Sequence, residues 1–195
     1  MVARHPRAET VKIEVVESVR GQLLVASPAI ADPNFKRSVI LIGHHDAGGA
    51  LGVVLNRPAG TTVQEAAPPV AEMIGDGDLH VGGPVMPEAV VIVAEFERPE
   101  DAAILAFDNV GVLATDTPAE VVDETTKRVR AFAGHAGWSA GQLDAELAED
   151  DWIVAPADAD TVFDEEVDDL WARVLADMGG SFELLSRMPE DPSVN

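Results

Sequence analysis

The sequence predicts one α+β domain, on three observations. A chain of 195 residues and 20.6 kDa is long enough for one core and buries roughly 70% of its unfolded surface. Apolar runs of strand length come first, and helical spacing gathers late. No internal repeat and no linker divides the chain. The expected organisation is an N-terminal tail with an irregular Val/Ile/Glu segment over residues 1–20, the domain over 21–180, and a C-terminal tail over 181–195.

Each element follows from local pattern. Gly21-Gln-Leu-Leu-Val-Ala-Ser27 reads as a strand stopped by Pro28. Ser38-Val-Ile-Leu-Ile-Gly43 and Ala50-Leu-Gly-Val-Val-Leu55 read as a hairpin, broken by His44-His-Asp-Ala-Gly-Gly49. Thr62 and Glu65 make a capping box, and Pro68-Pro69 cuts that helix short. Leu79-His-Val81 and Ala89-Val-Val-Ile-Val-Ala94 are strands, and 103–107 with 110–114 form a second hairpin around Asp108-Asn109. Thr117 as cap, Pro118 at the first helical position, and Val121, Val122, Val129, Phe132 and Ala133 at helical spacing predict a helix over 117–133 that Gly134 ends. Ser139 and Gln142 make a second capping box, which opens a helix over 141–149 with Ser139 as its cap. A strand follows at 152–155. From Asp164, the apolar stripe Val167, Leu170, Trp171, Val174, Leu175 and Met178 predicts a last helix closed by Gly179-Gly180. Phe182, Leu184 and Leu185 then anchor a tail.

Composition excludes several classes of chemistry. There is no cysteine, which removes disulfides, thiolate metal sites and thiol nucleophiles. No apolar run approaches the ~18 residues of a membrane span, and the N-terminus has no hydrophobic stretch, so the expected location is the cytoplasm. The net charge is −22, from 13 basic and 35 acidic residues. It is unevenly spread, at +2 over residues 1–58 and −24 over 59–195, with twelve acids and no base from Asp144 to Asp169. Nucleic-acid binders need clustered Lys and Arg, so direct binding of DNA or RNA is not expected. The same field repels anionic membranes.

Several constellations carry residue types suited to chemistry. Gly137-Trp-Ser139-Ala-Gly141 matches the G-x-S-x-G nucleophile elbow. An elbow needs a strand before the serine, where a helix is predicted, and a histidine after it, whereas all five histidines (5, 44, 45, 80 and 135) precede Ser139. His44-His45-Asp46 has metal-ligand chemistry, but adjacent strand residues point to opposite faces and no third ligand is evident. Asp158-Ala-Asp160 lacks the rest of a calcium loop. His135 reads as a histidine at a helix C-terminus. Arg57, held extended by Pro58, either offers a fixed fork to a carboxylate or phosphate or pairs with one of the chain's acids. The candidate binding cleft therefore comprises His45, Asn56, Arg57, His135, Trp138 and Gln142, with no catalytic residue, metal or cofactor assigned.

Four separated motifs, in order, carry a resemblance. Gly21-Gln-Leu-Leu-Val-Ala-Ser-Pro28, Asp32-Pro-Asn-Phe-Lys-Arg-Ser-Val-Ile40 and Gly48-Gly-Ala-Leu-Gly-Val-Val-Leu-Asn-Arg-Pro58, with His45, resemble the opening of the YqgE/AlgH family. Gly82-Gly-Pro-Val85 is similar to its middle motif, Gly134-His-Ala-Gly-Trp-Ser-Ala-Gly-Gln-Leu143 with Trp152 to its third, and Asp169-Leu-Trp-Ala-Arg-Val-Leu175 to its C-terminal helix. The resemblance implies a bacterial protein with coiled, bifurcated mixed sheets and helices packed against them. It implies a label of transcriptional regulator, without defined catalytic residues or an established activity. Many members carry an arginine and then a histidine after the middle motif, where this chain has Glu88, Ala89 and an apolar run. A role resting on those two side chains does not carry over.

The expected function is that of a non-enzymatic cytoplasmic protein acting by contact with another protein, of basic surface, as an indirect regulator. The alternative is a small-molecule binder or weak hydrolase using a cleft between the Asn56-Arg57 corner and the 134–142 turn.

Overall fold

A computed structural model describes residues 17–189. The expected tail lies outside them as far as residue 16, as does the chain end at 190–195. The strands are β1 (Gln22–Ala26), β2 (Val39–Asp46), β3 (Gly49–Val54), β4 (Pro58–Thr62), β5 (Asp78–Val81), β6 (Val85–Phe96), β7 (Ile104–Phe107), β8 (Val110–Val112), β9 (Thr126–Ser139) and β10 (Trp152–Pro156). The helices are α1 (Val63–Ala66), α2 (Pro68–Ile74), α3 (Ala119–Thr125), α4 (Gln142–Ala148), α5 (Ala159–Val162), α6 (Leu170–Met178) and α7 (Gly180–Ser186).

The main sheet runs β10-β1-β2-β3-β9-β6-β8-β7. Its pairings are antiparallel, whereas β5 joins β9 in parallel. One edge of β9 carries β6 along most of its length. The other edge is divided: Leu79–Val81 of β5 pairs with Ala131–Ala133, and Gly49–Gly52 of β3 with Ala136–Ser139. The sheet splits there, which is the bifurcation the resemblance implied. Gly82-Gly83 leaves β5 and crosses β9 at the fork. A Cβ on Gly82 would sit 2.3 Å from the Gly134 carbonyl, and one on Gly83 2.3 Å from the His135 carbonyl carbon. Only glycine allows backbones to approach so closely.

On one side of the sheet, Leu23, Val25, Leu41, Val53 and Phe132 pack against Phe163, Trp171, Val174 and Leu175. Trp171 and Val174 face this core as their spacing predicted. On the other side, Leu24, Ile40 and Ile42 meet Trp138, Trp152 and Leu143. A further cluster, Ile92, Phe96, Leu113 and Val122, lies under α2 and α3.

The predicted helix over 117–133 is corrected. Only Ala119–Thr125 is helical, and the chain then runs as β9. Val129, Ala131 and Ala133 face one set of cores while Arg128, Arg130 and Phe132 face the other. That two-residue period, lined on both sides by β6, β5 and β3, overrides the helical spacing. The last helix begins at Leu170 rather than at Asp164, because Asp164 caps a local turn through the Glu166 amide and Arg173. Residues 181–186, expected in the tail, belong to α7, with Phe182 and Leu185 packed on the core. Pro68-Pro69 both ends α1 and starts α2, where prolines suit the first helical positions. The His44-His45 break is absent, since β2 runs to Asp46.

Candidate functional site

The six candidate cleft residues fall into three places. His45, Trp138 and Gln142 meet beside α4. His45 is buried; its Nδ1 accepts from the Val19 amide at 3.1 Å and its Nε2 lies 3.5 Å from Asp144 Oδ1. Both the Trp138 and Trp152 indoles donate to Glu146 Oε2, at 2.8 and 2.7 Å, and Gln142 donates to Oε1 at 2.9 Å. Phe35 stacks on Trp138 and meets Trp152 edge-on. This is a satisfied structural knot, with its donors and acceptors already matched.

Asn56 and Arg57 sit at the far end of β2. Asn56 Oδ1 accepts from the Val39 amide and its Nδ2 donates to the Arg37 carbonyl, both at 2.9 Å. Arg57 donates to the carbonyls of Asn56 and Lys36. Six residues separate Val39 from His45, about 20 Å of extended chain. The corner therefore shares no cleft with His45, Trp138 and Gln142, although its Arg57 carbonyl, through Val81, lies near the start of the 134–142 segment.

His135, inside β9 rather than after a helix, borders a groove of about 250 Å³. Its walls are apolar, including Leu41, Val53, Val91, Val93, Ala106 and Val112, with His44 and His135 as the imidazoles at its edge. Leu51 and Ile104, at the groove, are each 45% exposed. Val85 and Leu51 both flank Gly137, which extends the apolar rim along β9. His44 lines this groove while His45 faces α4, the opposed pointing of adjacent strand residues. Leu51 escapes a sequence reading because it lies within the continuous apolar run of β3, which carries no alternation to show which residue is exposed.

A second cavity, of about 510 Å³, opens between β5, the first half of β9 and the turn after α5. His80, Arg128 and Arg130 line it together with Asp76, Asp78 and Glu165. His80 is only 7% exposed, and burial first, then the charge of Arg130, pushes its pKa down to about 4. Burial also pushes Arg130 down to about 10. Sequence reasoning missed this site, although the alternation of Arg128, Arg130 and Phe132 is a strand signal that would have placed both arginines on one face.

Ser139 is corrected in two respects. A strand, not a helix, precedes it, so strand, turn and helix do follow in elbow order. It is not the cap of α4, whose N-cap is Gly141 with φ 72°. Half of the capping box survives: Gln142 Oε1 reaches back to accept from the Ser139 amide and hydroxyl, each at 3.1 Å. No histidine follows it in the chain, and its hydroxyl is engaged by an amide oxygen, which cannot act as a base. His44 and Asp46 form an exposed pair at 3.1 Å, and among the described residues no group of three or more possible ligands gathers. No helix among the described residues is long and apolar enough to cross a membrane.

Comparison with known proteins matches this architecture. The family model described as AlgH-like covers residues 23–183. A UPF0301 protein of Streptomyces coelicolor is 38% identical over 190 residues, spanning 92% of this chain and 97% of its own. One from Thermobifida fusca is 39% identical over 190 residues, spanning 91% and 96%. A crystal structure from Corynebacterium diphtheriae superposes with a TM-score of 0.78 at 30% identity, covering 88% of this chain and 93% of that one. The solution structure of the AlgH protein from Pseudomonas aeruginosa gives a TM-score of 0.67 at 26% identity, over 88% and 94%. By sequence and by fold, the chain belongs to the AlgH-like family of UPF0301 proteins, a family without an established activity.

Proposed function

We propose that the protein is a binding module whose apolar groove takes an apolar segment of a protein partner. The observation that carries the reading is the groove between β2–β3 and β6–β9, with Leu51 and Ile104 at 45% exposure on it. A small apolar groove with an exposed leucine and isoleucine on it can seat an apolar side chain of a partner and exclude water around it. The partner's flanks are basic, because a net charge of −22 speeds encounter with a positive surface and rejects negative ones. The cytoplasm is the compartment this reading takes, and an effect on gene expression would pass through the partner rather than through DNA.

The test uses crosslinking in native lysate with the wild type and with Leu51→Glu and Ile104→Glu. The expected result is one or more basic proteins retained by the wild type and lost by both folded variants. Identical retention by all three would overturn the groove as the contact site. In parallel, the pure protein should give no mobility shift on promoter fragments at about 150 mM salt, where the screening length is about 8 Å. Submicromolar, sequence-selective binding by the protein alone would refute the indirect reading.

A further inference from the structure

The cavity around His80 holds a cationic side chain that no acid among the described residues pairs. Arg130 NH1 donates to the Val162 carbonyl at 2.6 Å and NH2 to the Leu55 carbonyl at 2.9 Å. Both acceptors are neutral. Arg130 makes no ion pair among the described residues, in contrast to Arg128 beside it, which Glu95 and Asp160 neutralise. Asp164, the acid that acts on Arg130 most, is itself taken by Arg173 at 2.5 Å. A largely buried guanidinium normally has a carboxylate or phosphate against it. Two carbonyl bonds also leave it spare N–H donors.

The rest of the cavity adds direction. The Phe132 ring is a neighbour of both key groups, 5.2 Å from the Arg130 guanidinium and 5.8 Å from the His80 ring. His80 borders this cavity and the adjoining one, and its Nδ1 is buried without a partner. Toward the adjoining cavity the lining turns acidic, through Asp78, Glu165, Glu166, Asp168 and Asp169. The site thus carries both signs, with Arg130 and the carboxylates of Asp76, Asp78 and Glu165 in one lining. A simple anion would be repelled by those carboxylates as it met Arg130. A molecule with an ammonium behind its carboxylate would meet favourable charge at both ends.

We propose that this cavity binds a small zwitterion of the α-amino-acid type, its carboxylate on Arg130 beside His80 and its ammonium toward Asp78 and Glu165. This site is separate from the apolar groove and does not depend on the groove's role.

The test is titration of the isotope-labelled full chain with L-lysine, glycine and acetate, followed by backbone amide NMR. The expected result is saturable shifts at Gly75, Gly77, His80 and Ala131 with the amino acids, at a Kd of about 1 mM or below. Acetate, which supplies only the carboxylate, should bind at least about tenfold more weakly. Arg130→Gln should abolish the shifts. Because Arg130 also ties β9 to Leu55 and Val162, Asp78→Asn with Glu165→Gln serves as the second variant. It should weaken L-lysine and strengthen acetate. Absence of saturable shifts at these amides, acetate binding as tightly as L-lysine, or the same affinities in the acid variant would each overturn the proposal.

Discussion

Trp171 on α6 donates its indole N–H to the carbonyl of Ala26 on β1 at 2.8 Å, across 145 residues of sequence. The Arg37 guanidinium covers the ring at 4.1 Å from its centre. The late helix is thereby tied to the first strand. Trp171→Ala should lower stability by about 3–5 kcal/mol. Trp171→Phe keeps most of the packing and should cost about 1–3 kcal/mol, chiefly for the Ala26 carbonyl left unsatisfied. Urea denaturation followed by circular dichroism measures both, and equal losses would contradict this division.

Glu146 is the shared acceptor of two indoles and an amide. Glu146→Ala leaves two tryptophan donors unpaired, at about 1–3 kcal/mol each. Glu146→Gln keeps an acceptor oxygen and should cost less. Near-ultraviolet circular dichroism should change strongly in the alanine variant, since Trp138 and Trp152 hold a T-shaped pair at 5.9 Å.

Ser139 is exposed and supplies no bond to the amides that open α4. Ser139→Ala should therefore shift stability by no more than about 0.5 kcal/mol, below the cost of losing a true cap. A serine-directed phosphonate should leave the protein unlabelled. Stoichiometric labelling, read by intact mass, would bring a hydrolase back into consideration.

His80 should leave a mark on the pH profile of stability. Its pKa is lowered from 6.5 to about 4 in the folded state. Between those values the unfolded chain takes up a proton that the folded chain refuses, so stability falls as pH drops through this window and levels off below it. The stability of the wild type minus that of His80→Gln should rise by about 1–3 kcal/mol from pH 4 to pH 7. A flat difference would show that the imidazole is not held neutral.

Gly82→Ala tests the crossing at the fork. The new methyl group would meet the Gly134 carbonyl at 2.3 Å and the Phe132 Cβ at 2.9 Å. Neither backbone can retreat without breaking pairs of β9, so a loss on the order of 3 kcal/mol is expected. Gly77→Ala, where a Cβ meets nothing within 4 Å, is the control and should be nearly neutral.

Much of the fold is legible from short-range pattern. The two hairpins, β5, β10 and the core-facing stripe of Trp171 and Val174 follow from turn residues and apolar runs. What fails is decided by distant partners. Val129 and Phe132 satisfy a helical stripe as well as a strand, and only β6, β5 and β3 on either side of β9 decide between them. The candidate site suffered from the same error. With β9 read as a helix, His135 became a helix-end residue, and Arg128 and Arg130 lost the shared face that lines the His80 cavity. His45, Asn56 and Trp138 were legible as special residues, but their hydrogen bonds are to the protein's own backbone and side chains.

The divided edge of β9 also has a consequence for biosynthesis. Residues 49–52, 79–81 and 85–96 all pair with a strand that ends at Ser139. Until that strand has emerged from the ribosome, none of the three can reach its final partner, and the β2–β3 hairpin shows water an apolar flank with an open edge. Chains built this way fold slowly and are exposed to association while they wait. The nascent chain should therefore depend on chaperone protection through most of its synthesis, with protease resistance arriving abruptly only after residue 139 and β10 behind it have cleared the exit tunnel.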